Sequence, residues 1–183
     1  MNPIERLCQR RELGRSLEAR RSRLYRIALS WCRSRSLADD LVQETFSKAL
    51  RHIGQLREPQ AFDAWLFHIL HHCWLDHCRR DRPSEDIETL SNTTELSAEQ
   101  PQERRDIIHR VRAAIARLPA GQREVLSLVD LAGFSYAEVA MILEIPTGTV
   151  TSRISRARES LRDQLVRLIE QPENVVPIRI AHA

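Results

Sequence analysis

Phe134-Ser-Tyr-Ala-Glu-Val-Ala-Met-Ile-Leu-Glu-Ile-Pro-Thr-Gly-Thr-Val-Thr-Ser-Arg-Ile-Ser-Arg-Ala-Arg158 is the stretch that decides the fold. Ser135 with Glu138 has the spacing of a capping box, in which the hydroxyl accepts from the amide three residues on and the carboxylate reaches back. The box opens a short helix whose apolar residues are Val139, Ala140, Ile142 and Leu143. Glu144-Ile145-Pro146 breaks that helix, and Thr147 is placed to cap the next one. Short helix, tight turn and second helix make a helix-turn-helix.

On the second helix Val150, Ile154, Ala157, Leu161, Leu165 and Leu168 fall on one narrow stripe that packs inward. Ser152, Ser155, Arg156 and Glu159 lie opposite, with Arg153 on one flank and Arg158 and Arg162 on the other. Short polar residues let a helix sit deep in a groove, and arginines reach base edges and phosphates. Residues 147–162 hold four arginines and one glutamate. A solvated basic face would look similar, but the capped first helix and the proline turn favour DNA reading.

Upstream, Ile107, Ile108, Val111, Ile115 and Leu118 form a helical stripe that stops at Pro119, and Gln122 to Leu131 forms another helix ended by Ala132-Gly133. Residues 83–102 contain Pro83, Pro101, serines, threonines and several acids, the character of a linker. Before them come three helical segments. Leu13, Leu17, Leu24, Ile27, Ala28 and Trp31 stripe the first, with a break expected at Gly14. Ser36 is the expected cap of the second, which places Asp39 in its first turn and Leu41, Val42, Phe46, Ala49, Leu50 and Ile53 on one side. The third runs from Phe62 to Arg80. Its wheel puts His68, His71, His72, Asp76 and Arg79 on a polar arc and Trp65, Leu66, Ile69, Leu70, Cys73 and Trp74 on an apolar one.

Composition agrees with an all-α chain of two small helical domains joined by a flexible acidic linker. Five glycines and two tyrosines among 183 residues leave a leucine-, arginine- and glutamate-rich mixture that favours helix. The net charge is only +3, yet positions 1–23 carry seven arginines against three glutamates and positions 84–106 seven acids against two arginines. Two basic blocks around an acidic one suit two contacts with a polyanion. No apolar run is long enough for membrane insertion, and the N-terminus lacks a hydrophobic signal core, so a cytoplasmic protein is expected. Cys8, Cys32, Cys73 and Cys78 form no C-x-x-C pair and read as thiols of a reducing compartment.

The motifs together resemble the extracytoplasmic-function sigma factors. The helix-turn-helix, with Leu118-Pro119 and Gln122-Arg-Glu-Val-Leu126 ahead of it, is similar to the family's C-terminal domain. Asp39-Asp-Leu-Val-Gln-Glu-Thr-Phe46 looks like its polymerase-binding helix, and Trp65-Leu-Phe, Ile69, Asp76 and Arg79-Arg80 look like its promoter-melting helix. The resemblance spans about 24–80 and 104–166, in the family's order. It implies region 2 over 1–82, a linker over 83–102, region 4 over 103–170 and a tail, 171–183, of no assigned role. It implies that Asp39, Asp40, Gln43 and Glu44 bind core RNA polymerase. Arg57, Trp65, His68, His72, Asp76, Arg79 and Arg80 would read and melt the −10 element. Thr149, Ser152, Arg153, Ser155, Arg156 and Arg158 would read the −35 element. An apolar cleft around Leu126 and Val129 would receive the flap of the second large subunit. Promoter DNA, the two large polymerase subunits and an anti-sigma factor are the implied partners. Asp40 and Glu44, one turn apart, would repel by about 0.2–0.5 kcal/mol until a basic partner arrives. His72 departs from the asparagine usual there, substituting a ring whose charge varies near neutral pH.

Three other readings compete with this one. His68 with His72, and Cys73 with His77, have metal-ligand spacing. The two pairs face different ways, so another segment would have to complete a site; no metal and no cofactor is assigned, and a metal-binding regulator is an alternative. A stand-alone helix-turn-helix regulator would leave the Asp39 to Phe46 motif unexplained. An enzyme would need a phosphate loop, nucleophile elbow or carboxylate pair, and none can be found; no catalytic residue is assigned.

Overall fold

The computed structural model describes residues 3–56, 58–80 and 102–170. The expected linker (83–102), the tail (171–183) and Arg57 lie outside the described residues, except for Gln102. The described residues are helical and contain no strand. In chain order the helices are α1 (Pro3–Cys32), α2 (Arg35–His52), α3 (Phe62–Arg80), α4 (Gln102–Ala116), α5 (Ala120–Leu126), α6 (Tyr136–Leu143) and α7 (Thr147–Glu170). None of them is long and apolar enough to cross a membrane.

In the first half, α1 runs through Gly14 without the expected break. One mid-helix glycine costs only about 1 kcal/mol, and Leu13 and Leu17 on either side of it are buried. Arg33, in the left-handed region (φ 61°), ends α1 and turns the chain. The cap of α2 is therefore Ser34, whose hydroxyl accepts from the Leu37 amide, rather than Ser36. That shift moves Asp39 out of the first turn. Leu24, Ile27, Trp31, Leu41, Val42, Leu66 and Leu70 close the core between α1, α2 and α3.

In the second half, α5 continues into a wider π turn over Ser127–Leu131, where the Ala132 amide donates to the Ser127 carbonyl at 2.9 Å. Gly133 (φ +77°) then reverses the chain. The capping box forms as expected: the Glu138 amide donates to the Ser135 hydroxyl oxygen at 3.3 Å, and the Ser135 amide donates to the Glu138 carboxylate at 2.8 Å. Thr147 is the first residue of α7 and not its cap, because the Pro146 carbonyl already accepts from Thr149 and Val150. Val150, Ile154 and Ala157 pack inward, as the wheel requires. Leu126 is buried and Val129 is half-buried.

The two halves are packed together. Arg23 of α1 sits at the junction, with its guanidinium 5.1 Å from the Phe67 ring and 4.7 Å from the Phe134 ring. It donates to Asp63 at 2.6 Å and to the Ala132 carbonyl of the other half. Phe67 and Phe134 meet edge to face at 5.0 Å. Ser30 and Ser127 share a 2.8 Å hydrogen bond across the same seam.

Two predictions follow from this packing. Phe134→Ala lowers stability by about 3 kcal/mol and speeds amide exchange in α3, because Phe67 and Arg23 lose their cover. Denaturant unfolding with hydrogen exchange checks both. Ser135→Ala costs about 1 kcal/mol. Hydrogen bonds from the Ser135 hydroxyl and amide hold the Glu138 carboxyl below its ordinary range. A depressed folded-state carboxyl contributes stability above the unfolded pKa and loses it as pH falls through the folded one. The deficit of Ser135→Ala therefore shrinks as pH drops below the ordinary carboxylate range, as melts across an acid pH series would record.

Candidate nucleic-acid and polymerase surfaces

On α2, Asp40 and Gln43 are exposed, while Asp39 is half-buried with a carboxylate oxygen 3.9 Å from Arg21. Glu44 pairs with Lys48 one turn later at 3.0 Å, and Lys48 reaches on to Asp76 of α3 at 3.3 Å. The repulsion expected between Asp40 and Glu44 is thus offset within the chain, since glutamate four residues ahead of lysine is a favourable pair. Lys48 also turns Asp76 toward α2, and Arg79 pairs with Asp76 at 3.3 Å. Arg79 and Arg80 are exposed at the end of α3. Trp65 packs on the core, tilted against Phe62 at 6.0 Å.

The histidines of the α3 polar arc face the second half of the chain. His68 Nδ1 lies 3.2 Å from the Ile142 carbonyl of α6, and Trp74 Nε1 donates to Glu124 of α5 at 3.1 Å. His71 departs from the sequence reading: it is buried, edge-on to Trp31 at 5.9 Å, with Nε2 4.0 Å from Glu124. Burial, with His72 and His68 beside it, pushes its pKa down to about 4, so it is a neutral core ring at neutral pH. Burial pushes the Glu124 carboxyl the other way, up from its ordinary value. His68 and His72 remain half-exposed at the edge of the seam, their rings 4.4 Å apart.

On α7, Ser152, Ser155 and Arg156 are exposed and Thr149 is half-buried. The Ser152 hydroxyl donates to the Thr149 carbonyl at 3.0 Å. Two arginines expected on DNA are engaged inside the protein. Arg153 folds back over α5, so close that a Cβ on Gly121 would lie 2.9 Å from its guanidinium. Arg158 grips Asp130 with two hydrogen bonds, at 2.6 and 3.3 Å. Arg156 is the arginine of this set that projects into solvent without an ion pair among the described residues. Arg23, Glu124 and Glu144 escaped the sequence reading. Glu144 carried one signal, a non-glycine residue at a helix break, and it adopts the left-handed conformation (φ 53°).

Comparison with known proteins agrees with both halves. The family model for sigma-70 region 2 matches residues 17–83, and that for sigma-70 region 4 matches residues 108–161. The ECF RNA polymerase sigma factor EcfG of Rhodopseudomonas palustris is 39% identical over 140 residues, covering 76% of this chain and 76% of the relative. RNA polymerase sigma-H factor of Pseudomonas aeruginosa is 35% identical over 146 residues, covering 73% of this chain and 76% of the relative. The sigma factor RpoE of Bartonella quintana, solved with the anti-sigma factor NepR, superimposes with a TM-score of 0.73 at 28% identity, covering 85% of this chain and 97% of that one. CnrH, solved with the cytosolic domain of CnrY, gives 0.64 at 27% identity, over 86% of this chain and 89% of that one. A region 2 half followed by a region 4 half also disposes of a stand-alone helix-turn-helix regulator. The chain belongs to the extracytoplasmic-function family of RNA polymerase sigma factors.

Proposed function

We propose that this sigma factor alternates between the packed form, in which the end of α6 lies against His68 and His72 of α3, and an open form on core RNA polymerase. The proposed division is region 2 over 1–82, a linker over 83–102 and region 4 over 103–170. Asp39, Asp40, Gln43 and Glu44 dock on polymerase. Arg57, Trp65, His68, His72, Asp76, Arg79 and Arg80 meet the −10 element, and Thr149, Ser152, Arg153, Ser155, Arg156 and Arg158 meet the −35 element. The observation that carries the reading is the exposure, on opposite halves, of Asp40 and Gln43 on α2 and of Ser152, Ser155 and Arg156 on α7. One surface suits a basic protein partner and the other a DNA groove. Opening accounts for the positions of His68 and His72, which reach DNA only after α6 leaves them. Arg153 and Arg158, held within the second half by Gly121 and Asp130, exchange those contacts for phosphates on DNA.

RpoE of Bartonella quintana was solved with an anti-sigma factor, and an equivalent partner is proposed to hold this chain closed. The protein itself carries no catalysis; the polymerase supplies the chemistry, and the site of action is the cytoplasm.

Asp40→Arg with Glu44→Arg should abolish co-elution with core polymerase while circular dichroism keeps the wild-type helix signal; undiminished co-elution would sink the assignment. Arg156→Ala should weaken recognition of the −35 element by about 1–3 kcal/mol if it reads a base. Run-off transcription on promoters with swapped −35 sequences separates base reading from a phosphate contact, which would weaken all promoters alike.

A further inference from the structure

Where α3 meets the end of α6, His68, His72 and Glu144 converge. His68 Nε2 lies 3.9 Å from one Glu144 oxygen and His72 Nε2 lies 3.8 Å from the other. One ligand atom from each residue falls within 4.8 Å of the others. Two histidines one turn apart on a helix face, completed by a carboxylate from another segment, form a known type of donor set for zinc and its neighbours. Metal–nitrogen and metal–oxygen bonds of about 2.0–2.2 Å put tetrahedral ligand atoms about 3.4 Å apart. Each gap must therefore close by roughly 0.4–1.4 Å, within reach of rotamer changes in half-exposed side chains.

Two further observations point the same way. The Ile142 carbonyl can only accept, so a hydrogen bond at 3.2 Å puts a proton on His68 Nδ1, and in the neutral ring this leaves Nε2, the nitrogen nearer Glu144, as the one able to ligate. This is the outer-shell bond that orients metal-ligating imidazoles. Glu144 caps the C-terminus of α6 in the left-handed region (φ 53°, ψ 44°), a place that suits neither its side chain nor its charge. Its carboxylate sits beside the negative end of the helix dipole, an arrangement that a bound cation would relieve. Cys73 is not a candidate ligand: it is buried, with its sulfur 3.9 Å from Thr45 Oγ1 in the core of the first half.

We propose that His68, His72 and Glu144 bind a divalent transition-metal ion of the zinc class that bridges α3 and α6 and so holds the two halves of the sigma factor closed. Water or a fourth ligand completes the coordination on the solvent side, where the Glu144 side chain is 65% exposed. A ligand that binds the closed form alone adds to its stability in proportion to the logarithm of its concentration over Kd, so metal would oppose release of α3 to DNA. The proposal goes beyond the promoter-reading assignment and is tested without polymerase or DNA.

The experiment is a Co2+ titration of the full chain with thiols reduced, followed by visible absorption. The expected result is one equivalent of Co2+ giving ligand-field bands of a tetrahedral nitrogen–oxygen site. Affinity should fall at least tenfold in Glu144→Gln and in His72→Ala, with the metal-free melting of Glu144→Gln close to wild type. Zn2+ should then slow hydrogen exchange in α3 and α6 together, and in Glu144→Gln slow neither. Unchanged affinity in Glu144→Gln, or a thiolate-to-cobalt charge-transfer band, would overturn the site. Slowed exchange in α3 alone would overturn the bridge, because the metal would then be held within one helix.

Discussion

A guanidinium withdrawn from water must find anions, carbonyls or ring faces, and Arg23 finds all three at one point. It is held by Asp63 of α3, by the Ala132 carbonyl at the turn before the helix-turn-helix, and by the faces of Phe67 and Phe134. These partners belong to two segments, α3 and the turn before α6, so satisfying this one charge of α1 fixes where α1, α3 and the lead-in to α6 lie. When the halves part, Arg23 loses Ala132 and Phe134 but keeps Asp63, which lies in its own half, so its charge stays paired. Arg20, also held by Asp63, keeps that carboxylate in place from the next turn of α1. The π turn at Ser127–Leu131 and the reversal at Gly133 bring the Ala132 carbonyl and the Phe134 ring to the same spot.

From that anchor follows the division between covered and open surfaces. Beyond Arg23 and the Phe67–Phe134 contact, the polar bonds across the seam are His68 to Ile142 and Trp74 to Glu124, with Ser30 to Ser127 beside them. Bonds of this kind contribute about 1 kcal/mol each, far less than the apolar cores of the two halves. The faces that lie away from it, Asp40 and Gln43 on α2 and Ser152, Ser155 and Arg156 on α7, are exposed in the closed form.

The electrostatics of the seam are set by burial. His71 is neutral because its ring is enclosed beside Trp31, and Glu124 is pushed toward its neutral form by the same enclosure. Neither acts as a solvent-facing group, whatever its place on a helical wheel. Charge that would otherwise repel is matched locally instead, as Lys48 does for Glu44 and Asp76.

The sequence by itself determined the helices, their order and the helix-turn-helix. Those features rest on contacts within one or two turns: the Ser135–Glu138 box, the inward stripe of Val150, Ile154 and Ala157, and the exposed Ser152, Ser155 and Arg156 opposite it. Where local signals competed, the sequence misjudged the detail: Ser34 caps α2 because Arg33 turns the chain one step sooner, and Gly14 does not break α1. Only the tertiary structure decided which polar residues face water. A wheel records the angle of a side chain but not what stands in front of it. His71 therefore became core, Arg153 lay back on α5, Arg158 found Asp130, and Glu144, a helix breaker in sequence, came to face two histidines more than seventy residues away. Such partners are chosen by how the two halves close on Arg23, and that choice is written in no local spacing.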